Sequence, residues 1–345
     1  MKKILFFAAL TLAATACLKN DPDVVVPAGE MTFKAMANVS TKADAQLEGT
    51  VLSADYRIYA SATQKNADGT VENPAYFSDK AFDTEDAVPT ASSTYHAWDE
   101  TTDVMDPIYW PIGGCQLDYV AYAMPVVAHT TPATEGPVAL YANAATDVAS
   151  NLAFKGWDTY KNQVDVLYAV KNATNTAANA GANTVALTFN HAQALLVFDA
   201  KVNIADVLTI NSITMNGLLV KGDFVVDNSK NKAVAAWENL ATVAGEDVVA
   251  EGADPTADNL GEALVNTTDF AQVGSTLLVP QQPALNFVVN YTISGNTMNY
   301  EYNHTRTAWE KGKKYIYKLD FTLNEVVITE TVEDYVDVEN PIPLS

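Results

Sequence analysis

From Met31 the hydrophobic pattern of the chain has period two. Met31, Phe33, Ala35, Ala37 and Val39 share one face, while Thr32, Lys34 and Asn38 lie on the other. That alternation predicts a half-buried β-strand. Short runs rich in Val, Ile, Tyr, Phe and Thr recur at Tyr56–Ala60, Leu117–Met124, Val164–Val170, Thr184–Phe189, Leu195–Val202, Leu208–Met215, Leu277–Val279, Phe287–Ile293, Lys314–Leu323 and Glu325–Thr329. Turn signals separate them at Asp68-Gly69, Gly113-Gly114, Asn216-Gly217, Lys221-Gly222 and Gly295-Asn296. Many short strands between such turns predict β-sandwiches. Helical periodicity is scarce, and Asn231–Ala241 and Leu260–Asn266 read as short helices or loops.

Composition breaks the pattern in three places. Leu18–Gly29 is polar, with prolines near its ends, and reads as a tether. Asn172–Asn183 has no large apolar residue and marks a domain boundary. The acids of Gly245–Asn259 lack the spacing and central glycine of a calcium loop, so this stretch reads as solvated. A chain of 345 residues is long for one core and comfortable for two.

The first residues carry an export signal. Lys2 and Lys3 precede an apolar run, Ile4–Ala14, which is shorter than the roughly 20 residues that span a bilayer. Small residues Ala14, Thr15 and Ala16 then lead to Cys17. This is the layout of a secretory signal. A cysteine directly after small residues resembles the lipobox of bacterial lipoproteins, although Ala14 stands where Leu is usual. The resemblance implies cleavage before Cys17, acyl chains on Cys17 and attachment to the outer membrane through that lipid. Two or more chains anchor stably where one does not.

A net charge of −22 repels phosphate backbones and argues against nucleic acid as a partner. Beyond Cys17 only Cys115 remains, which forbids an internal disulfide and reads as a small core residue. The histidines at 96, 129, 191 and 304 are scattered, and His191 reads as a core-edge residue. There is no HExxH, no GxSxG elbow and no phosphate-cradling loop. The sequence thus points to no catalytic residue, metal or cofactor. Trp98, Trp110 and Trp157 admit two readings, core packing or a sugar-stacking platform; Trp237 and Trp309 read as packing residues of the second domain.

Several segments, taken in order, line up with one family. Ile108–Pro111, Gly113-Gly114 and Leu117–Pro125 (LDYVAYAMP) resemble the YWP…FxAYxP signature of fimbrillin-like proteins, the subunits of type V pili. Asp165–Ala169 is similar to the strand closing the first domain of that family, and Val185–Phe198 resembles the opening of its second. Ile213–Gly222, Val279–Gln281, Trp309–Tyr317 and Val332–Tyr335 resemble its later elements, with Tyr335 in place of the usual Trp.

The resemblance implies an all-β fold of two tandem transthyretin-like β-sandwich domains with an extended C-terminal tail. The expected divisions are a signal peptide at 1–16, a tether at 17–30, domains at 31–175 and 183–335, and the tail at 336–345. It also implies a structural role in a cell-surface fimbria that serves adhesion. In that route a maturation protease cuts after a basic residue past the first strand, and a neighbouring pilin's tail fills the groove left behind. Lys42 is the only basic residue between Lys34 and Arg57, so cleavage is expected between Lys42 and Ala43. Val332, Val336, Val338, Ile342 and Leu344 share one face of the tail and suit a donor strand. Pro341 and Pro343 fall together on the other face, so the missing N–H groups lie along one edge; either the last residues sit outside the ladder or one neighbouring strand is short there. Expected partners are other pilin subunits, the maturation protease and surface glycans or proteins. Two other readings stay open: a non-polymerising surface lipoprotein that binds glycans, and an adhesive tip or anchor subunit.

Overall fold

The computed structural model describes residues 29–37, 52, 56–90, 92–111, 115–126, 138–140, 151–159, 163–175, 184–204, 206–228, 234–242, 248–249, 251–252, 264–265, 267, 269–281, 285–304, 308–322 and 325–334. The described elements are all strands. The first half holds β1 (Thr32–Ala37), β2 (Tyr56–Lys65), β3 (Val71–Asp83), β4 (Tyr95–Asp99), β5 (Val104–Met105), β6 (Cys115–Pro125), β7 (Val138–Leu140), β8 (Asn151–Asp158), β9 (Leu167–Asn175) and β10 (Thr184–His191). The second holds β11 (Ala194–Val202), β12 (Val207–Met215), β13 (Lys221–Asp227), β14 (Val234–Ala241), β15 (Val248–Val249), β16 (Glu251–Gly252), β17 (Leu264–Val265), β18 (Ala271–Leu278), β19 (Leu285–Ile293), β20 (Asn296–His304), β21 (Lys313–Phe321) and β22 (Val326–Asp334).

The first sheet runs β1-β10-β9-β6-β2-β3-β4-β5, and β1 also pairs with β4. The pairing therefore returns on itself, and β1 closes the ring. Phe33, Phe82, Tyr119, Leu187 and Phe189 fill its interior, each less than 2 % exposed. Such closure leaves few edges open to other chains.

Two further sheets, β16-β18-β11-β21-β22 and β15-β12-β19-β20, contribute to one core. Their inward residues Phe198, Ile210, Phe287 and Tyr317 meet there, as alternating strands of a sandwich require. The β19–β20 hairpin turns on Ser294 and Gly295, both at positive φ (50° and 75°). This is the left-handed pair that a two-residue turn needs to match strand twist. A small sheet, β14-β13-β8-β7, packs on the outside of the ring. There Phe154 meets Tyr122 and Phe224 meets Tyr168, each pair with ring centroids 5.2 Å apart.

Polar side chains tie loops to these sheets. Gln281 offers Leu219 an amide in place of a strand: its Oε1 accepts from Leu219 N at 2.9 Å and its Nε2 donates to Leu219 O at 2.8 Å. The Gln281 backbone pairs with Trp309, whose indole N–H donates to the Tyr317 hydroxyl at 2.9 Å. The Val279–Gln281 and Trp309–Tyr317 motifs are thus two sides of one joint.

Some expectations from the sequence need correction. Strand pairing crosses the division expected between 175 and 183, because β10 pairs with β9 at Asn190–Tyr168 and His191–Leu167, and β8 pairs with β13. Residues 172–175, expected outside any core, continue β9 along Cys115–Asp118 of β6. Asn172 there accepts a hydrogen bond from the buried Asn228 at 2.9 Å. Val234–Ala241 is strand β14, not a helix or a loop. Lys221-Gly222 lies inside β13, not in a turn. At Gly222 a Cβ would sit 2.6 Å from Leu240 Cδ2 and 3.2 Å from the Glu238 carbonyl, so close approach, not chain reversal, requires the glycine.

Candidate functional site: the seat of the first strand

β1 is bonded on both sides by strands distant in sequence. On one edge it runs parallel to β10, from Thr32 opposite Thr184 to Ala37 opposite Phe189. On the other it pairs antiparallel with β4 at Thr32–His96 and Phe33–Tyr95. Just before β1, Glu30 bridges to Tyr109. The Met31 N–H donates to Ile108 O at 2.7 Å, and the Trp110 N–H donates to Gly29 O at 3.0 Å. The Ile108–Trp110 motif therefore clamps the entry to the strand.

Alternation decides which side chains plug the ring. Met31 and Phe33 are fully buried and Ala35 nearly so, while Lys34 and Met36 face outward. The Phe33 ring lies 4.4 Å from Phe82 and 5.5 Å from Tyr119. Tyr119 donates its hydroxyl to Met31 Sδ at 3.3 Å. Outside, Thr32 and Thr184 share a hydroxyl hydrogen bond at 2.9 Å, and His96 Nδ1 lies 2.8 Å from Glu30 Oε1.

The two buried phenols that line this seat are neutral. Burial, with Cys115 and Tyr76 as further causes, pushes the Tyr119 hydroxyl well above its ordinary value. Burial and then the nearby Asp83 and Asp86 push Tyr95 up to about 12. Both phenols stay protonated at any physiological pH, so the seat is lined by apolar and neutral groups. It suits an extended apolar segment, held by main-chain hydrogen bonds and side-chain pockets.

Most of the other candidate residues lie away from the seat or outside the described residues. Cys17, Lys42, Ala43, Val336, Val338, Ile342 and Leu344 lie outside the described residues. Val332, expected on the tail, lies in β22 opposite Tyr315, 40 % exposed and paired within its own chain. The strand continues through Asp334 because β21 offers a nine-residue ladder. Trp110 and Trp157 do not form a platform: both are buried, in separate clusters, and Trp98 is tied to Asp103 through its indole N–H at 3.0 Å. Cys115 is a buried core residue. His191 is buried against Asp165, its Nδ1 2.9 Å from the carboxylate.

Two parts of the seat escaped sequence reading. β10 was expected to open a second domain, and parallel pairing across some 150 residues leaves no local signal. The segment Ile108–Trp110 stands in the sequence as part of the family signature, with no sign that it pairs with the first strand. Its pattern, Ile108 and Trp110 turned inward around an exposed Tyr109, was the available sign of a short strand.

A ring of strands sealed by its own first strand, beside a β-sandwich, defines an all-β protein in which one strand is seated like a plug. The chain belongs to the fimbrillin-like family, whose pattern it matches over residues 41–334. Members of that family are fimbrial and cell-adhesion proteins of the cell surface. The fold is similar to a fimbrial protein of Bacteroides vulgatus, with a TM-score of 0.53 and 14 % identity over 89 % of this chain and 99 % of that one. It is similar also to a protein of Bacteroides ovatus assigned to cell adhesion, with a TM-score of 0.53 and 14 % identity over 90 % of this chain and 99 % of that one. A search of curated proteins gives no match.

Proposed function

We propose that this chain is a structural subunit of a cell-surface fimbria, without enzymatic activity, that polymerises by strand exchange and serves adhesion. It is exported as a lipoprotein acylated at Cys17. Proteolysis between Lys42 and Ala43 then releases β1, and the segment beyond β22 of a neighbouring subunit takes its place. The observation that carries this reading is the seating of β1. Met31, Phe33 and Ala35 fill the ring interior, while the hydrogen bonds that reach β1 among the described residues come from elements distant in sequence. A plug held in this way can be replaced by another strand of the same pattern. Its loss exposes backbone edges and apolar surface that a donor must cover.

N-terminal sequencing of assembled surface filaments tests the reading. Subunits beginning at Ala43 are expected, and Lys42→Gln is expected to leave an uncut, unpolymerised lipoprotein. Filaments whose subunits retain Met31–Ala37 would overturn it.

A further inference from the structure

The two edges of the seat are unequal. β10 accompanies β1 along all six of its residues. β4 meets only Thr32 and Phe33, and Ile108–Trp110 meets Gly29–Met31. Beside Lys34–Ala37 the second edge has no paired strand among the described residues.

The hydrogen bonds also fix which residues address which edge. Gly29 and Met31 turn their peptide groups toward Ile108–Trp110, on the β4 side. Side-chain direction and peptide direction both alternate with period two in an extended chain. Phe33 and Ala35, which point inward, therefore address the β4 side as well, and Thr32, Lys34 and Met36 address β10. In an L-peptide this coupling has a fixed hand. If the strand is reversed with the same face inward, the two edges exchange.

The segment 336–345 is long enough to span the stretch occupied by residues 29–37 and has a matching period. Val336, Val338, Ile342 and Leu344 lie on one face, with Asn340 among them; Asp337, Glu339, Pro341 and Pro343 lie on the other. With the apolar face inward and the direction of β1, both prolines would address β10, the continuous edge. Each would remove a ladder hydrogen bond there. In the reversed direction the prolines address the short edge, and Val338, Ile342 and Leu344 present their N–H groups to β10.

We infer that segment 336–345 of a second copy of this chain enters the seat opposite in direction to β1, forming an antiparallel ladder with β10. This rests on the strand-exchange reading above. The incoming strand is thus not a replica of the departing one: a parallel ladder is exchanged for an antiparallel one, whose pairing is slightly more stable per residue.

Cysteine pairs in assembled filaments distinguish the directions. Thr184 and Thr188 are exposed, one at the start and the other near the end of the part of β10 that pairs with β1. Asp337→Cys combined with Thr188→Cys is expected to yield covalent ladders on oxidation, and Glu339→Cys with Thr184→Cys, the pair that the direction of β1 would bring together, is not. The reverse result overturns the direction and leaves strand exchange standing. Filaments that cross-link in neither case overturn the proposed occupant, and filaments that keep Met31–Ala37 overturn the strand-exchange reading itself. A proline scan gives a second readout that needs no cross-link. Val338→Pro is expected to abolish filaments, whereas Glu339→Pro is expected to preserve them. Filaments surviving Val338→Pro but lost with Glu339→Pro overturn the inference.

Discussion

The rings of Phe33 and Phe82 meet at 4.4 Å although their strands, β1 and β3, are not hydrogen-bonded to each other. The contact crosses the interior of the ring, so Phe33 belongs to the core of a unit whose other strands all come later in the chain. Phe33→Ala is expected to cost the intact chain about 3–5 kcal/mol, as deletion of a buried aromatic does. Denaturant unfolding of the uncut protein reads this as a lower midpoint. The same substitution is expected to leave filaments of cut subunits unchanged in stability, because in them β1 has departed. Equal destabilisation of both would show that β1 stays in place.

Gly222→Ala tests the closest approach between β13 and β14. An added Cβ would meet Leu240 Cδ2 at 2.6 Å, which a flexible side chain can relieve, and the Glu238 carbonyl at 3.2 Å, which is backbone and yields little. Trp237 Cε3 lies at 3.3 Å on the same side. The expected loss is about 1–3 kcal/mol, the range for overpacking a close-packed site. Thermal unfolding measures it, and an unchanged midpoint would mean that the two strands part more easily than their close approach suggests.

These elements show what the sequence made legible and what it did not. The inward face of β1 was readable because Met31, Phe33 and Ala35 alternate with polar residues, and period two is a local property. Its neighbour was not, because β10 pairs in parallel across a long separation. β14 carries Ala235 and Ala236 in succession, which blunts the alternation; only the pairing with β13 makes it a strand. Residues 172–175 lack large side chains yet are ordered by backbone hydrogen bonds to β6, which composition does not register. Gly222 was read by the commonest use of glycine, in turns, when its use here is close packing. The tryptophans were ambiguous because burial, which decides between platform and core, is a tertiary property.

Asp223 couples the outer sheet to pH. Burial opposes its ionised form, but hydrogen bonds from the Gly156 N–H at 2.7 Å and Asn239 Nδ2 at 2.8 Å, with Lys155 at 3.2 Å, outweigh burial and hold its carboxyl below the ordinary value. A depressed carboxylate stabilises the fold above its unfolded pKa, and that stability is lost as pH falls through the folded value. The contribution is therefore complete above about pH 5 and fades in stronger acid. Asp223→Asn is expected to lower stability at neutral pH and to flatten the acid limb of the stability profile. A variant with an acid limb as steep as that of the parent would assign the acid sensitivity to another carboxylate.

The dependence of β10 on β1 gives a measurement on the cut chain. Residues 184–189 of β10 have, among the described residues, no ladder other than the one to β1, since β9 pairs only with Asn190 and His191. Removing β1 therefore takes away the hydrogen-bond partners of half the amides in that stretch, while Val185, Leu187 and Phe189 keep their apolar contacts in the core. Local opening, not global unfolding, should govern exchange there. Amides of 184–189 that face β1 are expected to exchange far faster in monomers cut at Lys42 and stripped of β1 than in the intact chain. β11, bonded on both edges by β18 and β21, should remain unchanged. In filaments, protection of 184–189 should return as the donor segment supplies a new ladder. If protection stays low in filaments, the donor does not pair with β10, and the contact between subunits lies elsewhere on the molecule.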